Sequence, residues 1–149
     1  MIKIFRTDTA DPDFRDLVKQ LDSDLAIRDG KDHDFYSQFN SLDKIRHVVL
    51  AYDDDKPAGC GAIKQYSADT MEVKRMFVLH DHRRKGIAAT VLTELEQWVA
   101  ELSYTKCILE TGKKQPEAIA LYRKKGYEQI PNYGQYISVE NSVCFEKTL

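Results

Sequence analysis

The residues with the clearest capacity for chemistry are Arg83-Arg84-Lys85-Gly86-Ile87-Ala88. They come straight after a β-branched and aromatic run, Val73-Lys74-Arg75-Met76-Phe77-Val78, and just before a long stretch of helical periodicity. Where a strand gives way to a helix, the first helical amides lack intrahelical partners and carry roughly half a positive charge. Basic side chains stand at that mouth, and Gly86, having no Cβ, lets an anion such as a phosphate come close to the backbone. Taken alone, the hexapeptide reads first as a solvated basic turn.

A second stretch in the right order shifts the balance strongly towards the functional reading. Arg83-x-x-Gly86-x-Ala88 after a strand resembles the acetyl-CoA pyrophosphate loop of the GNAT N-acetyltransferase superfamily, Gln/Arg-x-x-Gly-x-Gly/Ala. Downstream, Gln115-Pro116-Glu117-Ala118-Ile119-Ala120-Leu121-Tyr122, followed by Gly126-Tyr127, resembles that family's second signature: a polar residue, Ala-Ile, Leu-Tyr, then Gly-Phe/Tyr. The resemblance covers Lys56 to Tyr127 well and the ends by layout only. It implies an α/β (α+β) fold with a mixed central sheet of about six to seven strands and about four flanking helices, in a single N-acetyltransferase domain over residues 1–149.

The same resemblance implies roles for individual residues. Acetyl-CoA would be held by Arg83, Arg84, Lys85, Gly86, Ile87 and Ala88 at its diphosphate, and by Met76, Phe77 and Val78 along the pantetheine arm, with the Val78 amide meeting the thioester carbonyl. Gln115 and Ala118 would complete the cofactor site. Gln115 stands where many members carry Asn, which keeps the amide and lengthens its reach. Lys124, with Lys125, either serves the cofactor's 3′-phosphate or caps its helix. The two parallel strands at the centre are expected to splay and admit the arm.

Glu72 lies eleven residues before Arg83 on the same strand, the offset of the glutamate that takes a proton from the amine in histone-acetylating relatives. Alternation puts it on one face with Lys74 and Met76, so a surface carboxylate paired with Lys74 is the competing reading. A carboxylate near pKa 4.3 facing an ammonium near 10.4 is about six units short, roughly 8 kcal/mol, so burial or a relaying water is required. Tyr122 matches the family tyrosine that hydrogen-bonds or protonates the departing thiolate; a phenol near 10 protonating a thiolate near 8.5 is uphill by about 2 kcal/mol, which favours hydrogen bonding. Packing beneath the last helical turn is its other role.

These residues need a frame, and the composition allows one. A chain of 149 residues with 42% hydrophobic and 31% charged residues fits one globule that hides roughly two-thirds of its unfolded surface. A net charge of −2 argues against a general nucleic-acid binder. Cys60, Cys107 and Cys144 are odd in number and widely spaced, which reads as buried thiols of a reduced compartment and neither a disulfide framework nor a zinc site. With no signal peptide and no apolar run of membrane length, a cytoplasmic protein without membrane association is expected, and no metal.

In chain order, Ile2 to Thr7 alternates as an opening strand. Asp11-Pro12 caps a helix whose stripe is Phe14, Leu17, Val18, Leu21 and Leu25 and which Asp29-Gly30 stops. Lys31 to Lys44 reads as a short helix or an ordered loop; its Phe35 either lines the acceptor pocket or packs under the first helix. Ile45–Tyr52, Ala58–Tyr66 and Thr70–Leu79 form an antiparallel meander, with Asp53-Asp54-Asp55 as a solvated hairpin tip and Gly59 and Gly61 marking a bulge or close approach. Ile87, Val91, Leu95, Trp98 and Leu102 make one face of the next helix, with Glu94, Glu96, Gln97 and Glu101 opposite. Tyr104–Glu110, a helix from Pro116 to Gly126, and strands at Tyr127–Pro131 and Ser142–Lys147 follow. Tyr133 and Tyr136, between those last strands, are placed to wall the acceptor pocket. The expected activity is acetyl transfer from acetyl-CoA to a primary amine of a small molecule or peptide by direct attack; the alternative is a non-catalytic acyl-CoA sensor or partner-binding module. The sequence leaves the oligomeric state open; many relatives pair as dimers, which makes a homodimer one candidate assembly.

Overall fold

The computed structural model describes residues 1–30, 42 and 44–149. The expected segment over Lys31–Lys44, including Phe35, lies almost wholly outside the described residues. Among them, seven strands form one sheet: β1 (Ile2–Thr7), β2 (His47–Asp53), β3 (Lys56–Gln65), β4 (Thr70–Val78), β5 (Lys106–Gly112), β6 (Glu128–Ile130) and β7 (Ser142–Thr148). Three α-helices accompany them: α1 (Pro12–Asp29), α2 (Ile87–Glu101) and α3 (Pro116–Lys124). The sheet order is β1-β2-β3-β4-β5-β7-β6, antiparallel throughout except for the parallel pair β4–β5. This is the mixed α/β architecture expected, with three helices described where about four were anticipated.

Local chemistry explains the element ends. The Asp11 carboxylate accepts from the amides of Asp13 (2.9 Å) and Phe14 (3.4 Å), capping α1 ahead of Pro12. Asp54 (φ 49°) and Asp55 (φ 70°) make the tight two-residue turn that returns β2 as β3. One face of the sheet carries α1, with Phe14, Leu17 and Val18 packed on Val48, Leu50, Cys60 and Ala62. The other carries α2, with Ile87, Val91, Leu92, Leu95 and Val99 packed on Val49, Ala51, Ile63, Val73 and Leu109. Gly61 is needed here, because a Cβ would meet Met76 Sδ at 2.5 Å, Leu95 Cδ1 at 2.8 Å and Val91 Cγ1 at 2.9 Å.

Three expectations change. Glu96 is buried, not on the solvated face of α2: it accepts from Tyr127 Oη (2.8 Å) and Lys147 Nζ (3.0 Å), because the helix overlies the sheet where those side chains reach up. Asp53 is not part of a solvated tip; it is only 7% exposed. Met76 does not share a face with Glu72. The pairing of Cys60 with Phe77 and of Ala62 with Lys74 leaves two residues of β4 opposite Gly61, and Arg75 takes φ 58° there. This bulge turns Arg75 towards Asp22 of α1 and restarts the alternation, so Met76 and Val78 join the α2 face.

All three cysteines are free and buried. Burial pushes the Cys60 and Cys107 thiols up to about 12 and Cys144 to about 11. Among the described residues, no helix is long and apolar enough to cross a membrane.

Candidate active site

The site begins where β4 and β5 part. Their parallel pairing is confined to Thr70–Lys106, Met71–Cys107 and Glu72–Ile108. Beyond Glu72 the second half of β4 pairs, among the described residues, with β3 alone, while β5 continues on β7 as far as Gly112 and Ser142. Leu79 N donates to Ala58 O at 2.8 Å. By the alternation of an antiparallel ladder, the Val78 amide then points away from β3, into the side that β5 has vacated. The Val78 carbonyl on the same edge accepts from Arg83 Nε at 2.9 Å, and the Arg83 guanidinium carbon lies 6.0 Å from the Phe77 ring centre.

The basic loop closes one end of this gap. A short 3-10 turn, His80–His82, leads to Arg84 at φ 66° and Gly86 at φ 78°, and Gly86 is the N-cap of α2. These left-handed positions turn the chain sharply into the helix, and glycine adopts one without strain. Arg84, Lys85 and Gly86 are exposed while Ile87 is buried against Gly59, whose missing Cβ leaves room for it. The helix thus enters with its first amides facing outward and its first side chain anchored. Ala88 and Arg83 are half-buried beside it. Lys85 Nζ lies 2.7 Å from Asp53 Oδ2.

The second signature flanks the opposite side. Gln115, the N-cap of α3, accepts from the amides of Ala118 (3.1 Å) and Ile119 (3.2 Å) through its backbone carbonyl. Glu117 in the first turn pairs with Arg28 at the end of α1. Tyr122 is buried, its ring 5.8 Å from that of Tyr127 and 6.3 Å from that of Phe145, and burial raises its hydroxyl well above the ordinary phenol range. It therefore stays a neutral donor at any physiological pH. Lys124 is exposed; Lys125 turns back to donate to Thr93 Oγ1 at 2.6 Å.

On the α1 face of the sheet, at the last paired rung, sits Glu72, 6% exposed. It is buried and not at the surface, and the pairing with Lys74 that the competing reading expected is present. Tyr133 Oη donates to Glu72 Oε2 at 2.6 Å, and Lys74 Nζ lies 3.8 Å from Oε1. Tyr133 also meets Tyr136 (5.8 Å) and Tyr66 (5.3 Å) edge-on, building an aromatic wall beside the carboxylate. Burial and the neighbouring Glu72 charge raise the Tyr133 hydroxyl, so it too keeps its proton. Sequence reasoning singled out Glu72, Tyr133 and Tyr136 separately; the structure joins the first two by a direct hydrogen bond. The burial of Asp53 and the partner of Glu110, whose Oε2 accepts from Ser142 Oγ at 2.6 Å, were not legible in the sequence. Neither lies in a motif, and their partners are some thirty residues away in sequence.

The chain's residues fit coenzyme A: a strand edge that faces no neighbouring strand among the described residues, an amide turned into the gap, and a basic loop opening a helix at one end. The comparisons agree. A model of the Acetyltransferase (GNAT) family matches residues 12–127. The chain is 33% identical over 114 residues to the uncharacterized N-acetyltransferase YsnE of Bacillus subtilis, covering 72% of this chain and 76% of that protein. It is 38% identical over 95 residues to an IAA acetyltransferase of Azospirillum brasilense, covering 61% and 60% respectively. Among solved structures, an acetyltransferase from Elizabethkingia anophelis with acetyl-CoA bound superposes with a TM-score of 0.72 at 19% identity, over 99% of this chain and 98% of that one. A Klebsiella pneumoniae protein assigned as an acyl-CoA N-acyltransferase reaches 0.83 at 25% identity, over 100% and 98%.

Proposed function

The chain belongs to the acetyltransferase (GNAT) family and is an acyltransferase whose cofactor is acetyl-CoA; from that premise we propose that it acetylates a primary amine of a small molecule or peptide by direct attack, as one cytoplasmic domain spanning residues 1–149. The observation that carries this reading is Glu72: a buried carboxylate at the last rung before the strands part, held by Tyr133 and flanked by Lys74. Acetyl-CoA, when bound, supplies an acyl group activated as a thioester. The chain's own residues hold, orient and move the proton.

Glu72 accepts the proton that the amine must lose. Lys74, which pairs with the same carboxylate, helps to hold it in place. Tyr133 fixes the carboxylate's orientation, and the wall of Tyr66, Tyr133 and Tyr136 offers aromatic faces to an amine-bearing acceptor. The Val78 amide is the donor for the thioester carbonyl oxygen, where charge develops. Arg83, Arg84, Lys85 and the amides from Gly86 to Ala88 hold the diphosphate, and Met76, Phe77, Gln115 and Ala118 lie along the rest of the cofactor. Tyr122 hydrogen-bonds the departing sulfur, a role that its retained proton suits.

The test is thiol release from acetyl-CoA over a panel of amines, amino acids, polyamines and peptides, for the parent enzyme and Tyr122→Phe. Turnover of at least one amine, with kcat reduced in the variant, is expected. Tight acetyl-CoA binding with no turnover across the panel would leave the non-catalytic acyl-CoA sensor in its place.

A further inference from the structure

The carboxylate of Asp53 lies outside both motifs, at the last residue of β2, and it is buried directly beneath the basic loop. Its Oδ2 lies 2.7 Å from Lys85 Nζ and 2.9 Å from His82 Nδ1. One buried oxygen therefore ties both ends of the segment His82–Lys85 to the sheet, and between those ties the chain passes through the left-handed Arg84. The turn after Asp53 fixes the anchor: Asp54 and Asp55 both adopt positive φ, and the register Asp53–Lys56 closes the hairpin immediately. Lys85 and His82 together hold the carboxyl at about 2, well below the usual carboxylate range, so it remains charged wherever the enzyme works.

We propose that Asp53 is a positioning residue for the diphosphate of acetyl-CoA: by locking Lys85 and His82 it sets the loop's backbone amides in their anion-facing arrangement, and Lys85 serves as a strut before it serves as a counter-ion. The proposal rests on the reading of this loop as the diphosphate site. It runs against the simplest electrostatic expectation, and the opposite sign makes it testable. A negative charge beside an anion site repels the anion, so its removal with the loop left in place should tighten binding. If the charge instead holds the loop, its removal weakens binding.

The experiment compares Asp53→Asn with the parent enzyme on two donors, acetyl-CoA and acetyl-pantetheine, the second lacking the diphosphate. The expected result is a rise of about tenfold in KM for acetyl-CoA, with kcat, the KM for the amine and all parameters with acetyl-pantetheine unchanged; tenfold corresponds to about 1.4 kcal/mol. Equal losses on both donors would assign Asp53 a general structural role and overturn the proposal, as would unchanged or tighter acetyl-CoA binding. If Asp53→Asn does not fold, His82→Ala removes the other tie and should give the same donor-selective loss; its absence likewise overturns the proposal. Failure of the loop reading itself shows differently, since the parent enzyme would then discriminate little between the two donors.

Discussion

Replacing Glu72 by Gln separates a catalytic carboxylate from a structural one, because the two roles predict different quantities to move. The substitution keeps the shape and keeps an oxygen able to accept from Tyr133 Oη, now as a neutral bond in place of a charge-assisted one at 2.6 Å. It loses the attraction to Lys74 at 3.8 Å, about 4 kcal/mol gross at an effective dielectric constant of 20. Removing a buried charge also removes its desolvation cost, which is of several kcal/mol and opposite in sign. The two largely cancel, so folding stability should change by no more than about 2 kcal/mol, or a Tm shift of about 4–8 °C for a chain of this size. Loss of a positioned general base costs about 10²–10⁴ in rate. We therefore expect Glu72→Gln to melt close to the parent, to bind acetyl-CoA normally by calorimetry, and to release thiol at least about a hundredfold more slowly on any amine the parent turns over. A kcat within threefold of the parent, with a melting point lowered by 10 °C or more, would refute the reasoning and make Glu72 a support for the Tyr133 loop.

Two further outcomes follow from the geometry. Gly61→Ala brings a methyl against three side-chain ends at 2.5–2.9 Å, all of which must yield together, so it should cost about 1–3 kcal/mol; urea unfolding checks this, and an unchanged midpoint would mean that Met76 has room to swing away. Asp53, whose folded value of about 2 lies below the ordinary carboxylate value near 3.9, contributes stability that is fully present above about pH 4 and lost as pH falls towards 2. Thermal melts from pH 7 to pH 2 should show that loss in the parent and a shallower acid limb in Asp53→Asn.

The elements were legible in the sequence where local chemistry dictates them: Asp11-Pro12 at the start of α1, the stripe of Ile87, Val91 and Leu95 in α2, Gly126 with its φ of 92° after α3. The motifs placed the loop and Tyr122 for the same reason, since their spacing is read along one strand or one helix. What escaped were relations between distant segments. Burial of Glu96 depends on Tyr127 and Lys147, and burial of Asp53 on Lys85 and His82. In each case a carboxylate that composition assigns to solvent finds cations or hydroxyls that only the folded sheet supplies. A run such as Asp53-Asp54-Asp55 conceals this, because its members differ solely in what lies over them.

Met76 departs from strict alternation for a physical reason, an extra residue in its own strand. Strict alternation along β4 would set Glu72, Lys74 and Met76 on one face, crowding the arm of the donor and the acceptor's base onto the same side. The additional residue at Arg75 breaks the count: Glu72 and Lys74 stay on the α1 face, while Met76 and Val78 turn to α2. Arg75 can hold φ 58° because its side chain is anchored on Asp22 and its carbonyl accepts from Cys60 Sγ at 3.4 Å. In the proposed reaction this single bulge makes one strand serve two reactants, with a proton acceptor presented to one side and a strand edge to the gap beyond. It also opposes Gly61, the one position on β3 where a neighbour without a side chain leaves Met76 room to lie flat, so the kink in β4 and the glycine in β3 form one device.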